Sequence, residues 1–172
     1  MLLILAPFVL QALAIGFDEI WFHLRRGLPL WERIGHPIDT LTVFICMGFI
    51  LFVPYSKAAI PYYAFLAIFS CLMVTKDEFI HKHVCPVSEN WLHALLFLLH
   101  PITLGAAGLI WPAAQGIDAG FWTSFLSPYK NELRLFLICQ FTVMGLFMVY
   151  QTIYWNFIYI PKVIQESAFR RD

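Results

Sequence analysis

The chain has 172 residues, of which 60% are hydrophobic, 17% are aromatic and only 13% are charged. Its mean hydropathy of +0.73 lies well above that of soluble domains, which are roughly half apolar. The 11 acidic residues balance the 11 basic ones, which excludes the strongly basic surface typical of nucleic-acid-binding proteins. The composition therefore predicts an integral membrane protein that contacts membrane lipid and has no nucleic-acid partner.

Apolar stretches along the chain are long enough, or nearly so, for membrane spans of about 20 residues. They lie near 1–22, 33–55, 58–76, 90–112 and 132–160. The first contains Ala12-Leu13-Ala14, which imitates a signal-peptide cleavage site, but it lacks a basic stretch in front, so we expect a retained span. The sequence predicts an all-α integral membrane protein with five transmembrane helices in a single domain, 1–172.

Lysine and arginine residues concentrate in alternate connections between these stretches. Arg25, Arg26 and Arg33 lie in the first connection, and Lys76 and Lys82 lie in the third. The positive-inside rule then predicts that the N-terminus lies outside and that the C-terminal tail, 161–172, lies in the cytoplasm. We expect the cell inner membrane as the location.

A pattern of acidic residues, proline and histidine occurs twice. Asp18-Glu19 is followed by Pro29, Glu32 and His36, and Asp77-Glu78 is followed by Pro86, Glu89 and His93. This internal repeat predicts two parallel helical hairpins, 1–55 and 58–112, packed as a four-helix bundle with both copies at its cytoplasmic end. An outer loop, 113–131, would lead to an additional fifth span, 132–160, whose aromatic residues are expected to pack or to face lipid.

Each helix of the predicted bundle carries a glutamate and a histidine at a spacing of three or four residues, which places both on one helical face. Charged groups are costly near the membrane interior, and converging carboxylates repel one another unless they are protonated or bind cations. Carboxylate with imidazole is a common ligand set for transition metals. We predict two divalent metal ions, iron favoured over zinc or manganese, held by Glu19, His23, Glu32, His36, Glu78, His81, Glu89 and His93.

Several other polar residues are expected to lie beside these ligands without binding the metal themselves. They are Asp18, Asp39, Asp77, His83 and His100. Cys85 is the one cysteine near enough to the cluster to be a thiolate ligand, whereas the other cysteines are expected to be apolar fillers. No residue stands out as a separate catalytic acid or base.

The ligand arrangement resembles that of the ferritin-type di-iron carboxylate proteins, in which two helices supply a glutamate and two others supply Glu-x-x-His. The resemblance rests on Glu19, Glu32-x-x-x-His36, Glu78 and Glu89-x-x-x-His93, and it departs from the family in the longer spacing. It implies a dimetal centre inside a helical bundle.

The leading functional hypothesis is a membrane-embedded non-haem dimetal oxidoreductase that acts on a lipid-like or quinone-like small molecule at the cytoplasmic face. A metal-dependent hydrolase and a carrier for divalent metal ions or protons are alternatives that use the same cluster. A carrier is disfavoured because acids and histidines are absent from the outer half of the spans. A scaffold subunit would need no metal, since glutamates in a first helical turn also favour the helix dipole. Protein partners are not predicted.

Overall fold

The computed structural model describes residues 2–77 and 85–160, except for the side chain of Asp77, and its regular structure there is helical throughout. Helix α1 spans Leu2–Phe17 and continues through a π-helical turn, Asp18–His23, into α2, Leu24–Arg26. Helix α3 spans Leu30–Phe52, and α4 spans Ile60–Met73 before a 3₁₀ turn, Val74–Asp77. Helix α5 spans Val87–Gln115, and α6 spans Phe121–Leu126 before a 3₁₀ turn, Ser127–Tyr129. Helix α7 spans Lys130–Ile153 and ends in a second π-helical turn, Tyr154–Ile158.

Four helical segments of the described chain are long and apolar enough to cross a membrane, in agreement with the predicted membrane location. They are Leu2–Arg26, Leu30–Phe52, Val87–Gln115 and Phe121–Ile158. The third predicted span, 58–76, corresponds to a shorter apolar helix, Ile60–Lys76. At about 1.5 Å per residue this helix is roughly 25 Å long, somewhat less than the ~30 Å of a bilayer's hydrocarbon core.

The helices pack side by side around one apolar core. Helix α3 contacts α4, α5 and α7, while α5 also contacts α1, α4 and α7. Trp111 of α5 and Met47 of α3 are almost fully buried in this core, and Leu133 and Leu137 of α7 are fully buried. Helix α7 is therefore part of the bundle, not an addition to its outside, because its own apolar side chains are needed to complete the core.

Helix α3 runs without a break through Pro37, so Glu32 and His36 lie on the same helix as the second apolar stretch. Proline lacks the N–H that would otherwise bond to the carbonyl of Arg33, one turn earlier. The side-chain amide of Asn156 donates to that carbonyl at 3.1 Å. The end of α7 thus satisfies the backbone group that Pro37 leaves without its helical partner.

The two copies of the repeated pattern differ in local structure. Asp18 and Glu19 lie within a π-helical turn, whereas Asp77 ends a 3₁₀ turn. The parallel pairing of two hairpins stays a prediction.

Candidate metal centre

Carboxylates and imidazoles converge at one end of the bundle, where α1, α3, α5 and α7 meet. We call this group the carboxylate–histidine cluster, and its members in the described chain are Asp18, Glu19, His23, Glu32, His36, Glu89 and His93. All of them are buried except His36, which is half-buried. Glu32 and Glu89 are 0% exposed, so their charges need partners inside the protein.

The π-helical turn at Asp18–His23 brings two acidic residues against one histidine. The i→i+5 pattern of a π-helix places Asp18, five residues earlier, as close to His23 as Glu19, four residues earlier. His23 Nε2 lies 3.2 Å from Asp18 Oδ2, and His23 Nδ1 lies 3.1 Å from Glu19 Oε2. Asp18, expected beside the ligands, is therefore in direct contact with a predicted ligand.

The first turns of α5 complete a group of four residues. Pro86 precedes the helix, Glu89 lies in its first turn, and His93 follows one turn later. His93 Nε2 lies 3.3 Å from Asp18 Oδ2, and Glu89 Oε1 lies 3.8 Å from His23 Nε2. Asp18, His23, Glu89 and His93 each offer a ligand atom within 4.8 Å of the others, all of them buried. Two imidazoles and two carboxylates at this separation could hold a metal ion.

A second group of three shares one member with the first. His23, Glu32 and His36 also offer ligand atoms within 4.8 Å of one another. His36 Nε2 lies 4.0 Å from Glu32 Oε2, and the rings of His23 and His36 are stacked with centroids 4.8 Å apart. The two groups are thus adjacent, with His23 between them.

Arg26 enters the cluster, although the sequence indicated only a topological role for it. Its Nη2 atom donates to Glu32 Oε2 at 2.8 Å and to Glu89 Oε1 at 2.7 Å. The guanidinium therefore links a carboxylate of α3 to one of α5. It supplies a single positive charge, which compensates only part of the negative charge of Asp18, Glu19, Glu32 and Glu89.

Helix α7 positions Glu19, contrary to the expectation that its aromatic residues only pack or face lipid. Tyr150 Oη and Trp155 Nε1 both donate to Glu19 Oε1, each at 2.8 Å. The other oxygen of Glu19 contacts His23, and Glu19 lies outside both groups of metal-type ligands. A histidine that binds a metal through one ring nitrogen usually bonds to a carboxylate or carbonyl through the other. The geometry favours Glu19 as the carboxylate that orients His23. The other ring nitrogen, His23 Nε2, then lies beside Asp18 Oδ2 and Glu89 Oε1.

A cavity of about 400 Å³ begins at the cluster and continues between α1, α3, α5 and α7. Asp18, Glu19, His23, His36 and His93 line it at the cluster end. Farther along, its walls are largely apolar and include Phe8, Val43, Met47, Leu96, Phe97 and Met144. This volume falls within the range of small-molecule binding sites.

The remaining predicted residues have different surroundings. Asp39 lines the cavity and forms an ion pair with Lys76, whose Nζ lies 2.6 Å from Asp39 Oδ2. His100 lies deeper in the bundle, bonded to Gln11 and Ser70. Glu78, His81 and His83 lie outside the described residues, as does the side chain of Asp77.

Cys85, the possible thiolate ligand, lies outside both groups of metal-type ligands. Burial raises the pKa of its thiol to about 12, so the group is protonated at neutral pH as long as no cation is bound to it.

Arg26, Tyr150 and Trp155 are the site residues that the sequence did not indicate. Their contacts join distant positions, such as Tyr150 and Glu19, which are 131 residues apart. The one signal of such contacts in the sequence was the presence of polar residues inside apolar stretches. Gln11 and Gln151 are examples, and both are buried in the structure.

No family model, curated protein or solved structure matches this chain.

Proposed function

We propose that the protein is a membrane-embedded, metal-dependent oxidoreductase that acts on a hydrophobic, lipid-like or quinone-like molecule. The observation that carries the proposal is the buried group of Asp18, His23, Glu89 and His93 at the end of an apolar cavity of about 400 Å³. Metal ligands at the end of an apolar cavity suit a reaction on a molecule drawn from the bilayer.

One divalent ion would bind tightly in the four-residue group. Two imidazoles with carboxylates are the ligand type of non-haem iron oxygenases, so we propose iron. Such an ion would supply redox chemistry or polarise a substrate oxygen. Here Glu19 would orient His23, and the apolar walls would hold the substrate and limit water.

A second ion, as in the dimetal hypothesis, would bind more weakly beside Glu32 and His36, because the two ring nitrogens of His23 are already taken by Glu19 and the first ion. Glu32 is already paired with Arg26, so binding there competes with the guanidinium. This competition distinguishes the two positions.

The proposed topology has five spans, with the short helix Ile60–Lys76 as the third. The N-terminus would lie outside the inner membrane, and the cluster would face the cytoplasm. The distribution of arginine and lysine supports this orientation.

Metal analysis of the protein, purified in lipid nanodiscs, tests the proposal. We expect about one tightly bound ion per chain, and we expect Asp18→Asn and His93→Ala to lower its affinity by at least about tenfold, because each removes a ligand. His100→Gln is the matched control, since His100 lies outside both groups of metal-type ligands, and it should retain the ion.

A folded wild-type protein that binds no divalent metal would overturn the proposal. Equal losses of metal in His93→Ala and His100→Gln would also contradict the assigned ligands.

A further inference from the structure

A second polar site lies along the cavity, away from the cluster. Gln11, His100 and Thr103 line this part of the wall, and each is more than nine-tenths buried. Gln11 and His100 lie seven residues before Asp18 and after His93 on their helices, which at 1.5 Å per residue is a separation of roughly 10 Å. We call Gln11, His100 and Thr103 the distal polar site.

A chain of hydrogen bonds determines the orientation of the Gln11 amide. The hydroxyl of Thr42 donates to the carbonyl of Asp39 at 2.7 Å. Thr42 has then used its proton, so Ser70, 2.8 Å away, must donate to Thr42. Ser70 Oγ in turn accepts from His100 Nε2 at 3.0 Å.

The chain of hydrogen bonds continues from His100 to Gln11. With a proton on Nε2, a neutral His100 has Nδ1 as an acceptor, and Gln11 Nε2 donates to it at 3.2 Å. The opposite amide orientation would require a doubly protonated, cationic His100, and an isolated charge at this depth is expensive. Gln11 Oε1 is therefore left as an acceptor.

Two buried polar atoms at this site have no hydrogen-bond partner among the described residues. They are Gln11 Oε1 and Thr103 Oγ1. A buried polar group without a partner costs roughly 1–3 kcal/mol, so such groups usually bond to water or to a ligand. Gln11 Oε1 can only accept a hydrogen bond, so the matching group on a ligand is a hydrogen-bond donor.

We infer that the distal polar site binds the hydroxyl or amide N–H of an amphiphilic ligand whose alkyl chain lies along the apolar wall toward the cluster. This ligand carries its donor group roughly 10 Å from the atom that reaches the carboxylate–histidine cluster. As a statement of substrate class, the inference rests on the proposed function. As a binding site, it stands on the cavity and the two unpartnered atoms.

Photoaffinity labelling in nanodiscs tests the inference. The probe is a long-chain primary alcohol with a mid-chain diazirine, and the competitors are 1-decanol and its methyl ether, which accepts but cannot donate. We expect labelled residues on the apolar wall, for example Val43, Met47 and Met144. At equal membrane concentrations, 1-decanol should compete about threefold to tenfold better than the ether, the value of one hydrogen bond.

Two variants remove the proposed partners. Thr103→Val and Gln11→Met should each reduce the preference for the alcohol, and together they should abolish it. Thr152→Val is the matched control, because Thr152 is exposed and lies outside the cavity lining. Thr103→Val should not lower the unfolding temperature, because the hydroxyl that it removes has no partner in the described chain.

Equal competition by alcohol and ether in the wild type would overturn the inference and indicate that water alone occupies the distal polar site. Labelling outside the cavity would overturn it as well. The assay is repeated after metal removal. A preference for the alcohol in a protein that binds no metal would refute the proposed function and leave the distal polar site intact. Metal binding without a preference for the alcohol would refute the distal polar site and leave the proposed function intact.

Discussion

Single buried residues in the cluster are held by partners from several helices. Glu19 receives hydrogen bonds from Tyr150 and Trp155 on one oxygen and contacts His23 with the other. Arg26 joins Glu32 to Glu89. When a buried carboxylate loses such a partner, the free-energy cost of its desolvation remains without compensation. Removing one partner therefore destabilises the protein by more than the net contribution of the contact.

Arg26→Gln should lower the free energy of unfolding of the metal-free protein by roughly 3 kcal/mol, because Glu32 and Glu89 would lose their shared cation. Adding a divalent ion should restore more stability to this variant than to the wild type, since the ion can bind where the guanidinium stood. Chemical unfolding with and without the ion measures both effects.

Arg25→Gln is the control for that experiment. Arg25 is exposed and stacks over Trp21, with its Cζ atom 3.5 Å from the ring centroid. We expect a change of at most about 0.5 kcal/mol, as for most surface substitutions. If the two arginine variants were equally stable, the ion pairs of Arg26 would make no net contribution to the free energy of unfolding.

At the scale of the helix, departures from regular α-helix coincide with the site. Both π-helical turns, Asp18–His23 and Tyr154–Ile158, contribute residues that meet at Glu19. Such turns frequently mark functional positions, because the extra residue redirects side chains that an α-helix would place elsewhere. Pro37 adds a third irregularity, directly after His36.

Asn156→Ala should cost about 1 kcal/mol, because the Arg33 carbonyl loses its donor. In a Pro37→Ala background the same substitution should cost much less, since Ala at this position supplies a backbone N–H to that carbonyl. A double-mutant cycle of unfolding free energies measures the coupling. Additive effects of the two substitutions would mean that the Asn156 contact does not compensate for the proline.

At the scale of the whole molecule, the number of spans decides which residues share a membrane face. Helix Ile60–Lys76 is the critical element, because it is shorter than the four segments that are long enough to span. If it crosses, its two ends lie on opposite sides.

Cysteine labelling in intact cells tests the topology. Lys57 and Ser88 are exposed and flank the short helix, so Lys57→Cys and Ser88→Cys are introduced into a protein whose native cysteines have been replaced. We expect an impermeant thiol reagent to label Lys57→Cys, and to label Ser88→Cys only after the membrane is permeabilised. The unmodified cysteine-free protein is the control, and labelling of both positions from one side would refute the five-span topology.

The membrane class, the helical architecture and the residue types of the cluster could be predicted from the sequence. Hydropathy is a sum over contiguous residues, and Glu19 and His23 are about one helical turn apart. Both features are local in the sequence, so they can be recognised without knowledge of the fold. On a regular α-helix, that spacing made Glu19 the predicted ligand and Asp18 a residue beside it. In the structure Asp18 belongs to the group of four metal-type ligands and Glu19 lies outside both groups, and which of the two binds a metal stays a prediction.

The way in which the helices complete one another could not be predicted from the sequence. The bonds from Tyr150 to Glu19, from Arg26 to Glu89 and from Gln11 to His100 join residues far apart in the chain. Such contacts depend on which helix faces meet, and this follows from the packing of the whole core, not from any local pattern. For the same reason, the cavity and its distal polar site exist only once α1, α3, α5 and α7 are assembled.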